Sequence, residues 1–92
     1  MSRNAVATLD MINFLERIGF VQLRAGKGRH AVYRHEATGL LVTLPTGDKD
    51  LRPIFTRAIQ KQLDNFNIVS EEKFDKMLRA ANKFERLLRA AS

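Results

Sequence analysis

The chain has 92 residues, of which 45% are hydrophobic, and a formal net charge of +6. A chain of this length forms a single domain that can fold without covalent staples. The lack of cysteine excludes disulfide bonds and thiolate metal sites. No apolar run approaches the ~20 residues needed to cross a bilayer, and the start of the sequence lacks a signal-peptide pattern, so we expect a cytoplasmic protein.

The positive charge is concentrated in the first two thirds of the chain. Residues 1–63 carry ten basic and five acidic side chains, whereas residues 64–92 carry six and five. A local excess of cationic side chains favours a polyanionic partner such as a nucleic acid.

The first predicted helix spans about residues 9–18 and follows a flexible tail, residues 1–8. Thr8 or Asp10 can cap this helix, and Gly19 stands where a C-terminal residue with positive φ is expected. Apolar residues recur at every third position, as on one face of a helix: Leu9, Ile12, Leu15 and Ile18.

Three antiparallel strands joined by short turns are predicted next, as a meander. Their alternating sequences place them at 20–24, 29–35 and 40–44. Pro45 ends the third strand because it has no N–H to donate to a sheet ladder.

The two faces of this predicted sheet differ in polarity, because strand side chains alternate between faces. The set expected to face the helices is Val21, Leu23, Ala31, Tyr33, Leu40, Val42 and Leu44. The opposite set is Gln22, Arg24, His30, Val32, Arg34, Leu41 and Thr43. His30 is then expected between Arg24 and Arg34 on an open surface with Lys27 at its rim. His35 falls on the other side, where a structural role is expected.

Two further helices are predicted after the strands. Asp50 can cap a helix that runs to about Leu63, and Ser70 can cap another that spans 70–91. The last helix has a continuous apolar stripe at helical spacing. A helix this apolar needs a surface to cover, so we expect 70–91 to pack on the domain or to lie in a dimer interface.

The segment from Gly26 to His35 combines a two-glycine turn with a histidine and several cationic side chains. Glycines let the backbone come close to a ligand, cations hold a phosphate, and imidazole gains or loses a proton near neutral pH. The pattern is typical either of a phosphate-binding site or of a basic hairpin whose histidine is solvated. The spacing alone favours the hairpin.

A set of short motifs also stands in a characteristic order along the chain. The motifs are Ile18-Gly19-Phe20, Arg24, Lys27-Gly28-Arg29-His30, Tyr33-Arg34-His35, Gly39-Leu40-Leu41-Val42-Thr43-Leu44-Pro45 and Lys49-Asp50-Leu51. Through this ordered set, residues 10–63 resemble the HicA (YcfA-like) toxins of type II toxin–antitoxin systems. We therefore expect a HicA-like domain over 9–63, with 70–91 as a C-terminal helical extension.

The resemblance implies an α+β fold like that of the double-stranded-RNA-binding domain, with the order α-β-β-β-α and a three-stranded antiparallel sheet. It also implies an mRNA interferase, a small endoribonuclease that a HicB-type antitoxin holds in check. The histidine of the family motif maps onto His30. Two neighbours depart from that motif, since Arg29 replaces the usual serine and Ala31 replaces the usual second histidine.

The expected reaction is RNA cleavage without a metal or other cofactor. RNA supplies its own nucleophile, the 2′-hydroxyl, so the protein must supply proton transfer and positive charge for the phosphorane. We expect His30 to be the catalytic residue that transfers protons. The expected RNA-binding residues are Arg24, Lys27, Gly28, Arg29 and Arg34.

Two other functions remain open at this point. The same basic sheet could bind nucleic acid without cleaving it, as the departures at Arg29 and Ala31 would allow. Alternatively, the chain could be a protein-interaction domain that dimerises through helix 70–91. Asp48 and Asp50 could share a magnesium ion, but loop solvation and helix capping are the favoured roles for them.

Overall fold

The structure is a computed structural model that describes residues 6–25 and 29–91. The described residues form β1 (Val6–Ala7), α1 (Thr8–Arg17), β2 (Phe20–Ala25), β3 (His30–His35), β4 (Leu41–Pro45), β5 (Asp50–Leu51), α2 (Pro53–Asn65) and α3 (Glu71–Ala91). Strands β2, β3 and β4 form an antiparallel sheet in that order. The predicted α+β class, with a three-stranded antiparallel sheet, is therefore confirmed.

The hydrophobic core lies between one face of this sheet and the helices. Its fully buried side chains come from α1, the sheet, α2 and α3: Met11, Phe14, Leu15, Phe20, Val42, Leu44, Leu63 and Phe74 are among them. In the described part of the chain, none of the helices is long and apolar enough to cross a membrane.

Strand β1 corrects the prediction of a tail that extends to residue 8. Val6 pairs with Leu51, and Ala7 pairs with Asp50. Thr8 begins α1, and its hydroxyl donates to the carbonyl of Asp48 at 2.9 Å. The remaining residues of the predicted tail, 1–5, lie outside the described residues.

The same pairing explains why two predicted caps are wrong. Asp50 belongs to β5, and α2 starts only at Pro53, so Arg52 occupies the N-cap position instead. At α1 the N-cap is Ala7, and Thr8 already lies inside the helix. The hydroxyl of Thr8 bonds the loop before β5 and therefore does not cap its own helix.

The part of strand β2 before its register shift has the opposite facing from the one predicted, whereas Arg24, after the shift, pairs with the outer-facing Val32 as expected. Phe20 is 2% exposed, whereas Val21 and Leu23 are 40% and 52% exposed. Phe20 lies opposite His35, which also faces the core, and the register shifts between Gln22 and Arg24. Because cross-strand partners share a face, this pairing directs Val21 outward. The predicted alternation in β3 and β4 is confirmed.

His35 holds the end of β3 against the end of α1. Its Nε2 donates to the carbonyl oxygen of Ile18 at 2.9 Å. Its Nδ1 accepts from the backbone N–H of Thr38 at 3.3 Å and lies 3.0 Å from the Thr38 hydroxyl. We assign the proton to Nε2 because Nδ1 faces an N–H donor. Gly19, at φ +107°, allows this approach, since a Cβ there would lie 3.2 Å from Nε2.

Helix α3 packs on α1 along its first three turns. The rings of Phe14 and Phe74 meet edge to face, with their centroids 5.5 Å apart. Further along, the side-chain amide of Asn82 donates to the carbonyl of Asp10 at 3.2 Å. Nearer the end of the helix, Leu87 and Leu88 are 59% and 51% exposed. The part of α3 up to Asn82 therefore completes the core.

Replacing His35 with alanine should lower the free energy of unfolding by about 2–4 kcal/mol, because the Ile18 carbonyl loses its donor and a buried side chain is lost. Urea unfolding measures this. The matched control is His30→Ala, which removes an exposed imidazole of the same strand and should change stability by about 0.5 kcal/mol or less. Equal stability of the two variants would contradict the anchoring role of His35.

The buried phenol of Tyr33 should make the folded protein less stable at alkaline pH. Burial, with a smaller contribution from the Glu16 carboxylate, raises the pKa of Tyr33 above its usual value of 10.0. The neutral phenol is thus favoured in the folded state. Its contribution to the free energy of unfolding is complete below pH 10 and is lost as the pH rises through the higher pKa of the folded state. Urea unfolding at pH 9 and pH 11 should show a smaller loss for Tyr33→Phe than for the unmodified chain. Identical losses would contradict this.

Candidate functional site

His30 is the first residue of β3, and its side chain is exposed. It shares the solvent-facing side of the sheet with the alternate residues of β3 and their cross-strand partners. We call this side the outer face; the register places Val21, His30, Val32, Arg34, Leu41, Thr43 and Pro45 on it, together with the backbone position of Arg24. The other face is covered by the core, in which Ala31 and Tyr33 are each 3% exposed.

The register places His30 at one end of the outer face. Its cross-strand partner is Pro45, the last residue of β4. Arg24 lies opposite Val32, two residues further along β3, and Arg34 lies two residues beyond that. The prediction that His30 lies between Arg24 and Arg34 is therefore wrong, because the pairing of β2 with β3 puts Arg24 on the Arg34 side of His30.

Arg34 is too far along β3 to act on the same group as His30. Four residues of a strand span about 13 Å. Arg34 lies in a cross-strand row between Val21 and Leu41, which are 40% and 52% exposed. Its guanidinium reaches towards the turn after β3, where a Cβ added to Gly39 would lie 4.0 Å from Nη2. Arg34 therefore forms a separate cationic point at the far end of the outer face.

Arg29 is the described cation that adjoins His30 in the chain. Its carbonyl accepts the backbone N–H of Thr46, which ties the start of β3 to the loop after β4. Its aliphatic stem packs on Gly47, where an added Cβ would lie 2.9 Å from Cγ. A side chain at position 47 would therefore displace Arg29. The contact fixes the stem of the cation that directly precedes His30 in the chain.

The structure describes little of the other predicted site residues. Lys27 and Gly28 lie outside the described residues. Arg24 is described through its backbone pairing in β2.

The aspartates considered for a magnesium site are engaged in different ways. Asp50 pairs with Ala7 in β5, while the backbone carbonyl of Asp48 accepts the hydroxyl of Thr8. Among the described residues, no group of three or more His, Asp or Glu side chains is arranged to hold a metal ion.

The loop after β4 was not predicted to belong to the site. Thr46 and Gly47 contact Arg29, the residue that directly precedes His30. The sequence does carry a weak signal for this, because Pro45 and Gly47 mark a turn that must follow the strand paired with β3. It does not indicate which part of β3 that turn adjoins, since the register decides this.

This arrangement can act on a phosphate ester. An exposed imidazole can take up or release a proton near neutral pH. The neighbouring guanidinium of Arg29 can hold a phosphate oxygen through charge-assisted hydrogen bonds. The outer face then offers a second cation, Arg34, to a polyanion that extends along the strand.

The chain was compared with protein families, with curated proteins and with solved structures. Residues 10–64 match the family model described as the HicA toxin of bacterial toxin–antitoxin systems. No curated protein and no solved structure matches. Since the match covers more than half of the 92 residues, the chain belongs to the HicA family of toxins of bacterial toxin–antitoxin systems.

Proposed function

We propose that this toxin is an mRNA interferase that cleaves RNA without a metal ion, with His30 as its catalytic residue. We further propose that it acts in the cytoplasm, where mRNA is found, and that a HicB-type antitoxin binds it and suppresses its activity. Membership of the HicA family supports a toxic activity and an antitoxin partner. The proposal adds the reaction and the residues that carry it.

The observation that carries the proposal is the contrast between the two histidines. His35 is 7% exposed, and both of its ring nitrogens have partners within the domain. His30 is exposed at the end of the outer face, which also carries Arg34, and it directly follows Arg29 in the chain. An imidazole that serves as a proton carrier must reach the substrate, and of these two side chains His30 is the one that solvent and RNA can reach.

The proposed reaction begins with proton removal from a ribose 2′-hydroxyl by a ring nitrogen of His30. The 2′-oxygen attacks the adjacent phosphorus, and the bond between phosphorus and the 5′-oxygen of the next nucleotide breaks. The 5′-oxygen takes up a proton, either the one that His30 accepted or one from water. The products are a 2′,3′-cyclic phosphate and a 5′-hydroxyl end, so no oxidant or reductant is needed.

Arg29 and Arg34 are proposed to have two distinct roles. Arg29 adjoins His30 and would stabilise the charge that develops on the phosphorane. Arg34, about 13 Å away along β3, would hold a different phosphate of the same RNA strand. Arg24, Lys27 and Gly28 are proposed RNA contacts on the basis of the family motif.

A second candidate function is assembly through α3. Leu87 and Leu88 are both more than half exposed near the end of this helix. A homodimer that buries them is the proposed assembly. Light scattering on the full chain would detect it, and Leu87→Glu should then shift the population to monomer.

Replacing His30 with alanine should lower RNA cleavage by about 10²–10⁴-fold, since a general base or acid contributes this much. Fragment analysis of an mRNA with the purified full chain measures the rate, and end-group analysis should find cyclic phosphate and 5′-hydroxyl ends. A DNA of the same sequence should stay intact because it lacks the 2′-hydroxyl. Undiminished cleavage and undiminished cell toxicity of His30→Ala would overturn the proposal.

Replacing Arg34 with alanine should weaken RNA binding and reduce its salt dependence, because one phosphate contact is lost. The slope of log affinity against log salt should become less steep by about 0.7 for a single strand. The matched control is Arg57→Ala, which removes an equally charged, exposed side chain from α2. If both variants change the slope equally, the outer face is not the binding surface. Binding with a full salt slope but without cleavage would instead support a nucleic-acid-binding module.

A further inference from the structure

A depression of about 270 Å³ lies between the start of α1 and the loop after β4. It is lined by Thr8, Leu9 and Ile12 on the helix side and by Thr46, Asp48 and Lys49 on the loop side. Leu9 is 52% exposed, so part of the apolar wall faces solvent. Apolar walls with a few polar groups are typical of ligand sites, and this volume is just below the ~300–1,000 Å³ of pockets for drug-sized molecules.

Backbone hydrogen bonds hold the two walls of this depression together. The N–H of Thr8 donates to the carbonyl of Lys49 at 2.8 Å, and the hydroxyl of Thr8 donates to the carbonyl of Asp48 at 2.9 Å. Both bonds use backbone carbonyls of the loop. They therefore leave the carboxylate of Asp48 and the ammonium of Lys49 available to a ligand, in a wall whose backbone is already positioned.

The depression adjoins the end of the sheet that carries His30. Thr46 directly follows Pro45, the cross-strand partner of His30, and its N–H donates to the carbonyl of Arg29. His30 lies on the outer face, whereas the depression lies on the helix side. Arg29 connects the two sides, because it directly precedes His30 in the chain and its stem packs on Gly47, in the loop that lines the depression. An RNA strand that turns around this edge would bring a phosphate to Arg29 and consecutive nucleotides to the two sides.

On the basis of the ribonuclease function proposed above, we propose that this depression binds a guanine base next to the cleaved phosphodiester. A carboxylate can only accept hydrogen bonds, and guanine is the base whose Watson–Crick edge presents two adjacent N–H donors. The hydroxyl of Thr46 or the ammonium of Lys49 would donate to the guanine O6. Leu9 and Ile12 would pack against the face of the ring. Recognition of an unstacked base through its Watson–Crick edge is the usual way in which proteins read single-stranded RNA.

Cleavage-site mapping tests the proposal. The unmodified chain should cut a mixed-sequence RNA next to guanine, and Asp48→Asn should lower the preference for guanine about ten-fold or more, the discrimination expected of a bidentate pair. Leu9→Ala should raise the KM with little change in kcat. The matched control is Asp75→Asn, an exposed aspartate of α3, which should keep the original preference. Unchanged site preference in Asp48→Asn would overturn the proposal.

Binding measured without cleavage separates this proposal from the proposed function. In the His30→Ala background, fluorescent RNA pentamers that differ only in their central base should bind most tightly with guanine. Adding Asp48→Asn should remove that difference. If the preference is present but the unmodified chain never cleaves RNA, the base pocket is supported and the nuclease function fails. If the four pentamers bind equally while the unmodified chain cleaves, the pocket is overturned and the nuclease function stands.

Discussion

The hydrogen bonds of His35 fix the position of His30. The two histidines are five residues apart in one strand, and an odd separation places two side chains on opposite faces. His35 is bonded to the end of α1 and to the turn after β3. A slip of one residue in β3 would break these bonds and turn Tyr33 out of the core. The core therefore determines that the imidazole of His30 points towards solvent.

A second constraint comes from α3, which follows the residues that match the family model. Phe14 of α1 has the ring of Phe74 against it, and Phe74 is fully buried. Without α3, Phe14 would lose this partner, and the Asp10 carbonyl would lose the amide of Asn82. Burial of one phenylalanine contributes about 1.5–3 kcal/mol, a large share of the stability of a small domain. The core that supports the site therefore includes residues of α3, which lies outside the segment matched by the family model.

Sequence periodicity was informative where polarity alternates unambiguously and misleading where it does not. In β3 and β4, apolar and polar residues alternate, so the exposure of His30 and the burial of His35 followed from the sequence. In β2, Phe20, Val21 and Leu23 are all apolar, so two facings were compatible, and the larger Phe20 took the core position. Strands β1 and β5 have two residues each. So short a segment has no measurable period, and its partner is distant in the chain. The contact between Gly47 and Arg29 depends on the strand register, so it could not be predicted from the sequence either.

The register also changes the meaning of the departures from the family motif. Ala31, where the resemblance to the family implies a second histidine, is 3% exposed and faces the core. A histidine at this position would lie on the helix side of the sheet, away from the imidazole of His30, so alanine removes no group from the outer face. The departure at Arg29 adds a cation at the position directly before His30 in the chain, and Gly47 leaves the space that the longer side chain needs. One departure therefore changes core packing, while the other adds positive charge at the residue before His30.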